Sequence, residues 1–308
     1  MKAVSFFPRR QRAVLALFFA ILPVFFSPVR PIARGEIDPR RFEVREDEPV
    51  WDESGYTSGV VSVRITSLRA SHSDVYVCDI RIGNTDCFRR VFGGDKWNTV
   101  SERVGAMAER CGAVLAITGD SGAALSSGLI IGNGVLLRNT VNPGRDLCVL
   151  YRNGEMKTFI AAENDMTKLC GELEKDPAVW QVFLFGPALM DGDGHARASF
   201  NSNVFPANPR SVLGYYEKGH YCCVQVDGRG VQSALEKGRN STGMNLSDLA
   251  AFMEDLGCSA AYNLDGGQSS ALWFNGKIIS TPYNNGRRVG DAVIITDTLA
   301  AVPGAVIP

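Results

Sequence analysis

The sequence predicts an α+β protein, a single domain on a mixed, largely antiparallel twisted sheet with flanking helices. Three observations lead there. Short apolar or alternating runs, each of strand length, recur from Val60 to Thr296. Only three stretches carry the spacing of an amphipathic helix, and they do not alternate with the strands as a βαβ chain would. The hydrophobic content, 45% of 308 residues, is enough for a sizeable core.

The chain opens with Arg9, Arg10 and Arg12 ahead of an apolar run from Ala13 to Phe26, interrupted by Pro23. A basic segment before a short apolar run is the export pattern, so residues 1–33 read as a signal peptide or a signal anchor. Either one places the rest outside the cytoplasm, secreted or held at the outer face of the membrane. Residues 34–57 are charged and poor in apolar side chains, with Asp38-Pro39-Arg40-Arg41 and Glu46-Asp47-Glu48-Pro49, and read as a linker. The domain spans 58–300, and 301–308 form a tail.

Within the domain, Val61, Val63 and Ile65 alternate with polar residues, a half-buried strand, and Val75 to Ile82 forms the next. Asn98 or Thr99 caps a predicted helix through Arg110, with Val100, Val104, Met107 and Ala108 on one face. Ala113 to Thr118 is a buried strand running into Gly119-Asp120-Ser121-Gly122. Strands follow at Leu129–Ile131, Val135–Leu137 and Leu147–Tyr151, the last turning at Asn153-Gly154. A helix is predicted over 165–175 and a strand over 182–185. Ser211–Tyr216 and Tyr221–Val226 make a hairpin, and Asn245 caps a helix stopped at Gly257. After a polar loop at 263–270, a hairpin over Asn275-Gly276 and a strand over 292–296 close the domain.

Composition excludes several classes. A net charge of -1 gives no electrostatic case for nucleic acid, and membrane contact is expected only through the N-terminal segment. There is no phosphate-binding glycine loop, dinucleotide fingerprint or HExxH. The eight cysteines lack zinc spacing. Cys78 with Cys87 is the favoured local disulfide, and buried free thiols are the equal alternative. Gly119-Asp120-Ser121-Gly122 has the letters of a serine-protease nucleophile loop, but His72 is the only histidine upstream and lies too near for that architecture.

Three loops repeat one design, an apolar strand followed by glycine and a carboxylate: Thr118-Gly119-Asp120, Asp227-Gly228-Arg229 and Asp265-Gly266-Gly267. If their strands are neighbours, Asp120, Asp227 and Asp265 converge, and converging carboxylates do acid-base work or hold a hard cation. The Asn263 to Ser270 loop is too long and too functionalised for a minimal hairpin. Arg210 and Arg229 are candidates to grip phosphate or carboxylate, and Arg287 and Arg288 share that reading.

Taken in order, Asn208-Pro209-Arg210-Ser211-Val212-Leu213-Gly214, Val226-Asp227-Gly228-Arg229, Gly243-Met244-Asn245-Leu246, Leu249-Ala250, Leu256-Gly257, the Asn263–Ser270 loop, and Arg288-Val289 with Asp291-Ala292-Val293-Ile294 resemble the phosphodiester glycosidase family. The resemblance covers roughly 60–298. It departs at Thr118, where the family's loop has Asn-Gly and then an aromatic, at Gln268 in place of a third glycine, and at Ser211 in place of Thr. The resemblance implies hydrolysis of a sugar-1-phosphodiester in exported or envelope glycans. The catalytic candidates are Asp265, Asp227 and Asp120. Arg210, Arg229, Asn263, Gly266, Gly267, Gln268, Ser269, Ser270, Thr118, Gly119 and Arg288 are the substrate-binding candidates. No cofactor is required by this chemistry, and calcium or another divalent cation is admissible. The alternative is a non-catalytic glycan-binding or envelope-assembly protein on the same fold.

Overall fold

The computed structural model describes residues 49–98 and 100–297. The predicted export segment, most of the linker, the cap position Thr99 and the tail lie outside the described residues. Nineteen strands form four sheets, and every described strand pair is antiparallel. The first sheet runs in the order β1 (Val50–Trp51), β2 (Gly55–Thr57), β3 (Val61–Ala70), β4 (Ser73–Ile82), β13 (His220–Val226), β12 (Arg210–Glu217), β16 (Ala260–Asn263). The second runs β10 (Met156–Phe159), β9 (Leu147–Tyr151), β11 (Val179–Phe183), β7 (Leu129–Gly132), β8 (Val135–Asn139). The third runs β18 (Lys277–Ile278), β17 (Leu272–Phe274), β6 (Leu115–Thr118), β19 (Asp291–Ile295), β5 (Phe88–Phe92). A two-stranded ribbon pairs β14 (Val231–Gln232) with β15 (Asn240–Ser241).

The three large sheets share one core. Val63, Cys78, Ile80, Leu213, Cys223 and Tyr262 from the first sheet meet Cys148, Leu150 and Phe183 from the second and Leu115, Ile117, Leu272 and Val293 from the third. Each sheet buries its other face under one helix. α1 (Val104–Arg110) covers the third sheet, α2 (Met166–Leu173) the second and α3 (Leu246–Asp255) the first. Period-two alternation explains the adjacent Cys222 and Cys223: the first packs under α3 and the second in the shared core.

The structure departs from the sequence reading at four places. Residues 50–57, expected as linker, are strands β1 and β2 of the first sheet. The helix expected from residue 98 begins only at Val104, because the Glu102 backbone pairs instead with Val289 through two hydrogen bonds of 2.9 and 2.8 Å. Val100, assigned to its buried face, is exposed. Strand β5 was not foreseen, since Arg89 and Arg90 make it read as polar although all five of its residues are buried. The Cys78–Cys87 disulfide is not formed: all eight cysteines are buried and free, and Cys78 sits opposite Cys223.

Candidate active site

The antiparallel register brings several strand ends to one edge of the domain. Arg210 pairs with Val226, Val212 with Asn263, and Ala292 with Thr118. The loop from Leu264 to Ala271 crosses there from the first sheet to the third. It is pinned along its length. Leu264 N donates to Ser211 O (2.8 Å), Asp265 N to Gly119 O (3.2 Å) and Gly267 N to Pro209 O (2.9 Å). Thr118 Oγ1 donates to Ser269 O at 2.6 Å and accepts from Ala271 N at 3.0 Å. The hydroxyls of Ser270 and Ser211 lie 3.2 Å apart. Gly267 turns with φ +63°, and a Cβ there would stand 2.8 Å from Arg229 Nη2, so the tight approach of that guanidinium requires glycine.

The loop forms one wall of a cleft of about 270 Å³ lined by Phe185, Val204, Asn208, Arg210, Arg229, Asp265, Gly266, Gly267, Gln268 and Arg287. Asp265 is the single carboxylate in that lining. Its Oδ2 accepts from Ser121 Oγ at 2.6 Å and from Arg287 Nη2 at 3.2 Å, and Arg287 Nε donates to Ser269 Oγ at 2.6 Å. Oδ1 accepts no hydrogen bond from the described residues, which leaves it available to a ligand.

Two arginines that line the same cleft have no carboxylate partner among the described residues. Arg210 is 2% exposed and donates Nε to Met244 O at 2.9 Å and Nη2 to Val204 O at 2.7 Å and Pro206 O at 2.6 Å, while Nη1 has no hydrogen-bond partner among the described residues. Burial alone pulls its pKa down to about 10, so it stays charged at neutral pH. Arg229, exposed and in the left-handed region (φ 58°), donates Nε to Asn208 Oδ1 at 2.9 Å and lies over the Tyr283 ring at 5.3 Å. Arg210 is thus a buried cation that lines the cleft without a carboxylate partner among the described residues.

The three-carboxylate convergence does not occur. Asp120 is fully buried and turned away from the cleft: it accepts from Leu184 N, from Phe185 N at 2.6 Å and from Arg90 Nη2 at 3.2 Å. Arg90, also fully buried, donates Nε to Asp291 Oδ2 at 2.6 Å. Burial raises the Asp120 pKa, and the Arg90 charge opposes that rise. The Asp291 carboxylate in turn accepts from Ser121 N at 2.9 Å. Asp120 and its partners thus set the Phe185 wall and the Ser121 hydroxyl rather than touching a ligand. Among the described residues no three Asp, Glu, His or Cys side chains are grouped as metal ligands.

Asp227 lies outside the cleft, its carboxylate accepting from Thr281 N at 3.1 and 2.9 Å. Burial pushes its pKa up from 3.8 to about 6, with Asp74 adding to the rise. The folded protein therefore keeps this proton where the unfolded chain releases it. That stabilisation is complete below the ordinary value and is lost as pH rises through about 6. Asp227→Asn, which keeps an acceptor for Thr281 N, removes the loss. Thermal melts should show the variant gaining on the parent between about pH 4 and 7, by up to about 3 kcal/mol; parallel curves would sink the assignment.

The remaining candidates divide. Gly266, Gly267 and Gln268 line the cleft, whereas Thr118 and Ser270 clamp the loop from beneath. Ser269 orients Arg287. Gly119 is held against Asp291, whose Oδ2 would lie 2.7 Å from a Cβ at that position. Asn263 donates to Gly186 O at 2.8 Å, and its Oδ1 is buried without a partner. Arg288 is replaced by its neighbour: Arg288 donates to Ser101 O and lies outside the lining, while Arg287 enters it. Sequence reasoning missed Ser121, Asn208 and Phe185. Ser121 carries a signal in the sequence, its place in the Gly119–Gly122 turn at the end of an apolar strand.

These features define the class of the molecule: an α+β domain of three antiparallel sheets with an arginine-lined, single-carboxylate cleft at its strand ends. The residue pattern of the phosphodiester glycosidase family matches residues 111–296, and the chain belongs to that family. It is 28% identical over 189 residues to the SPbeta prophage-derived uncharacterized protein YomE of Bacillus subtilis (strain 168), a match covering 59% of this chain and 27% of that relative's length. The fold is similar to the zebrafish N-acetylglucosamine-1-phosphodiester alpha-N-acetylglucosaminidase catalytic domain, auto-inhibited by its pro-peptide, with TM-score 0.58, 19% identity, and coverage of 77% of this chain and 83% of that one. A hypothetical protein from Synechocystis is also similar, with TM-score 0.49, 13% identity, and coverage of 77% and 62%.

Proposed function

We propose that the protein hydrolyses a sugar-1-phosphodiester outside the cytoplasm, releasing the sugar. The observation that carries this reading is the pairing of Asp265, with one oxygen open to the cleft, and two arginines lacking carboxylate partners beside it. Arg210 and Arg229 grip the phosphodiester oxygens, and Asp265 faces the anomeric carbon. As the C1–O bond breaks, positive charge grows on the ring and negative charge on the departing phosphate. The carboxylate stabilises the first and the guanidiniums the second. A phosphate monoester is a good leaving group, so a second carboxylate acting as acid is dispensable, in keeping with a cleft that has only one. Ser121 and Arg287 fix the Asp265 rotamer. The single carboxylate also favours a second reading, a glycan-phosphate binding protein that does not turn over.

The test is hydrolysis of N-acetylglucosamine-1-phosphodiesters in ¹⁸O-water. Label in the released sugar marks C1–O cleavage and supports the glycosidase reading. Label in the phosphate would replace it with phosphodiesterase chemistry, and binding without release would support the second reading. Arg229→Ala should raise KM by roughly tenfold or more, from one lost charge-assisted contact, with kcat less affected. An unchanged KM would remove Arg229 from the phosphate site.

A further inference from the structure

A second chamber of about 520 Å³ adjoins the Asp265 cleft, with Phe185 and Val204 lining both. Arg145 and Arg197 face that second chamber, with Asp146, Phe200 and Asn203. Arg197 is paired with Asp146 at 2.8 Å and lies over the Phe200 ring at 5.1 Å. Arg145 has no carboxylate partner among the described residues, and its Nη1 donates to the Phe185 carbonyl at 2.6 Å. Its charge is therefore held beside Phe185, which lines both chambers. Across both chambers five arginines stand against two aspartates, in a chain whose net charge is -1. Like charges collected along one groove repel unless an anion lies between them, and the excess is divided between the chambers rather than gathered at one point. A ligand with a single phosphodiester offsets only part of the first chamber's excess and leaves Arg145 in the second uncompensated.

We propose that the second chamber takes the next phosphate of the same ligand, so that the substrate is a repeating glycosyl phosphate, a polyanionic glycan with phosphodiesters recurring along its chain. The guanidinium of Arg145 binds that phosphate. Phe200 and Asn203 offer an aromatic face and an amide for the intervening sugar. This rests on the reading of the Asp265 cleft as a sugar-1-phosphodiester site.

The experiment compares a methyl phosphodiester of N-acetylglucosamine-1-phosphate with a two-repeat glycosyl phosphate carrying two phosphodiesters. Calorimetric binding to the Asp265→Asn protein and sugar release by the otherwise unaltered protein are measured side by side, each also with Arg145→Gln or Arg145→Lys. Circular dichroism melts check that the Arg145 variants fold. The two-repeat compound should bind roughly ten- to a hundredfold tighter than the methyl diester. Arg145→Gln should erase that advantage without changing the methyl diester, and Arg145→Lys should keep part of it. Release from the methyl diester with no advantage for two repeats overturns this inference and leaves the hydrolase reading standing. An Arg145-dependent advantage in binding without release of sugar from either compound overturns the hydrolase reading and leaves this inference standing. An advantage that survives Arg145→Gln undiminished also overturns the inference.

Discussion

Asp265→Ala is expected to lower kcat/KM on a sugar-1-phosphodiester by about 10³-fold while changing stability by only about 1 kcal/mol. The two halves of that result come from different parts of the same geometry. The activity loss follows because Asp265 is the single carboxylate lining the cleft, so no neighbour can take over the stabilisation of positive charge at the anomeric carbon. The small stability cost follows from its partners. Arg287 is 54% exposed in its side chain and rehydrates when the carboxylate goes, and the Ser121 hydroxyl is only partly buried. Sugar release and a denaturant melt on the same preparation check both halves. A variant that retained more than about a tenth of the parent's kcat/KM would remove Asp265 from the chemistry. One that lost activity only because it unfolded would show the loop to be structural.

The placement of this residue is legible in the sequence. An apolar strand, a bend of two glycines and a run of hydroxyls describe a loop that leaves a sheet and carries polar groups to its end, and the structure shows that course. The alternation in Val61–Ile65 and the cap at Asn245 are equally legible, because each is local: a strand's period or a side chain bonding backbone within three residues. What was not legible depended on which way a side chain turns at a strand end. Asp120 and Asp265 follow the same strand-then-glycine pattern, yet Asp120 faces inward because Arg90 and the Leu184–Phe185 backbone offer it three donors. Arg287 and Arg288 are adjacent and chemically identical, and only the course of the 283–289 segment decides that the first enters the cleft. Thr118, a departure from the family pattern, reads in sequence as an altered ligand contact. In the structure its hydroxyl is a two-way clamp on Ser269 and Ala271, and Thr118 lies outside the cleft lining.

Arg90→Ala should be the most damaging single substitution, costing about 3–5 kcal/mol at neutral pH. Arg90, Asp120 and Asp291 are all at most 2% exposed, and the guanidinium is the counter-charge to both carboxylates. Removing it leaves two buried like charges facing an empty volume, and such a loss is a large share of a domain's total stability. The same argument gives a pH signature. Without Arg90 the Asp120 carboxyl is pushed further upward by burial and by the Asp291 charge, so in the variant its protonated form is favoured in the folded state. Stability that depends on a raised carboxyl pKa is present at low pH and lost as pH rises, so the deficit should shrink as urea melts move from about pH 7 to about pH 4. Asp120→Asn should be mild by contrast, since the amide oxygen still accepts from Leu184 N or Phe185 N and Asp291 still balances Arg90. A deficit for Arg90→Ala that is equal at both pH values would show that lost packing against Phe92 and Phe183, whose rings lie 5.5 and 5.2 Å from the guanidinium carbon, outweighs the charge. If the charge argument holds, activity falls with it at neutral pH even in molecules that remain folded. Asp291 holds the backbone of Ser121, Ser121 holds the Asp265 carboxylate, and Asp120 holds the Phe185 wall, so the buried trio fixes the cleft from behind without touching what binds in it.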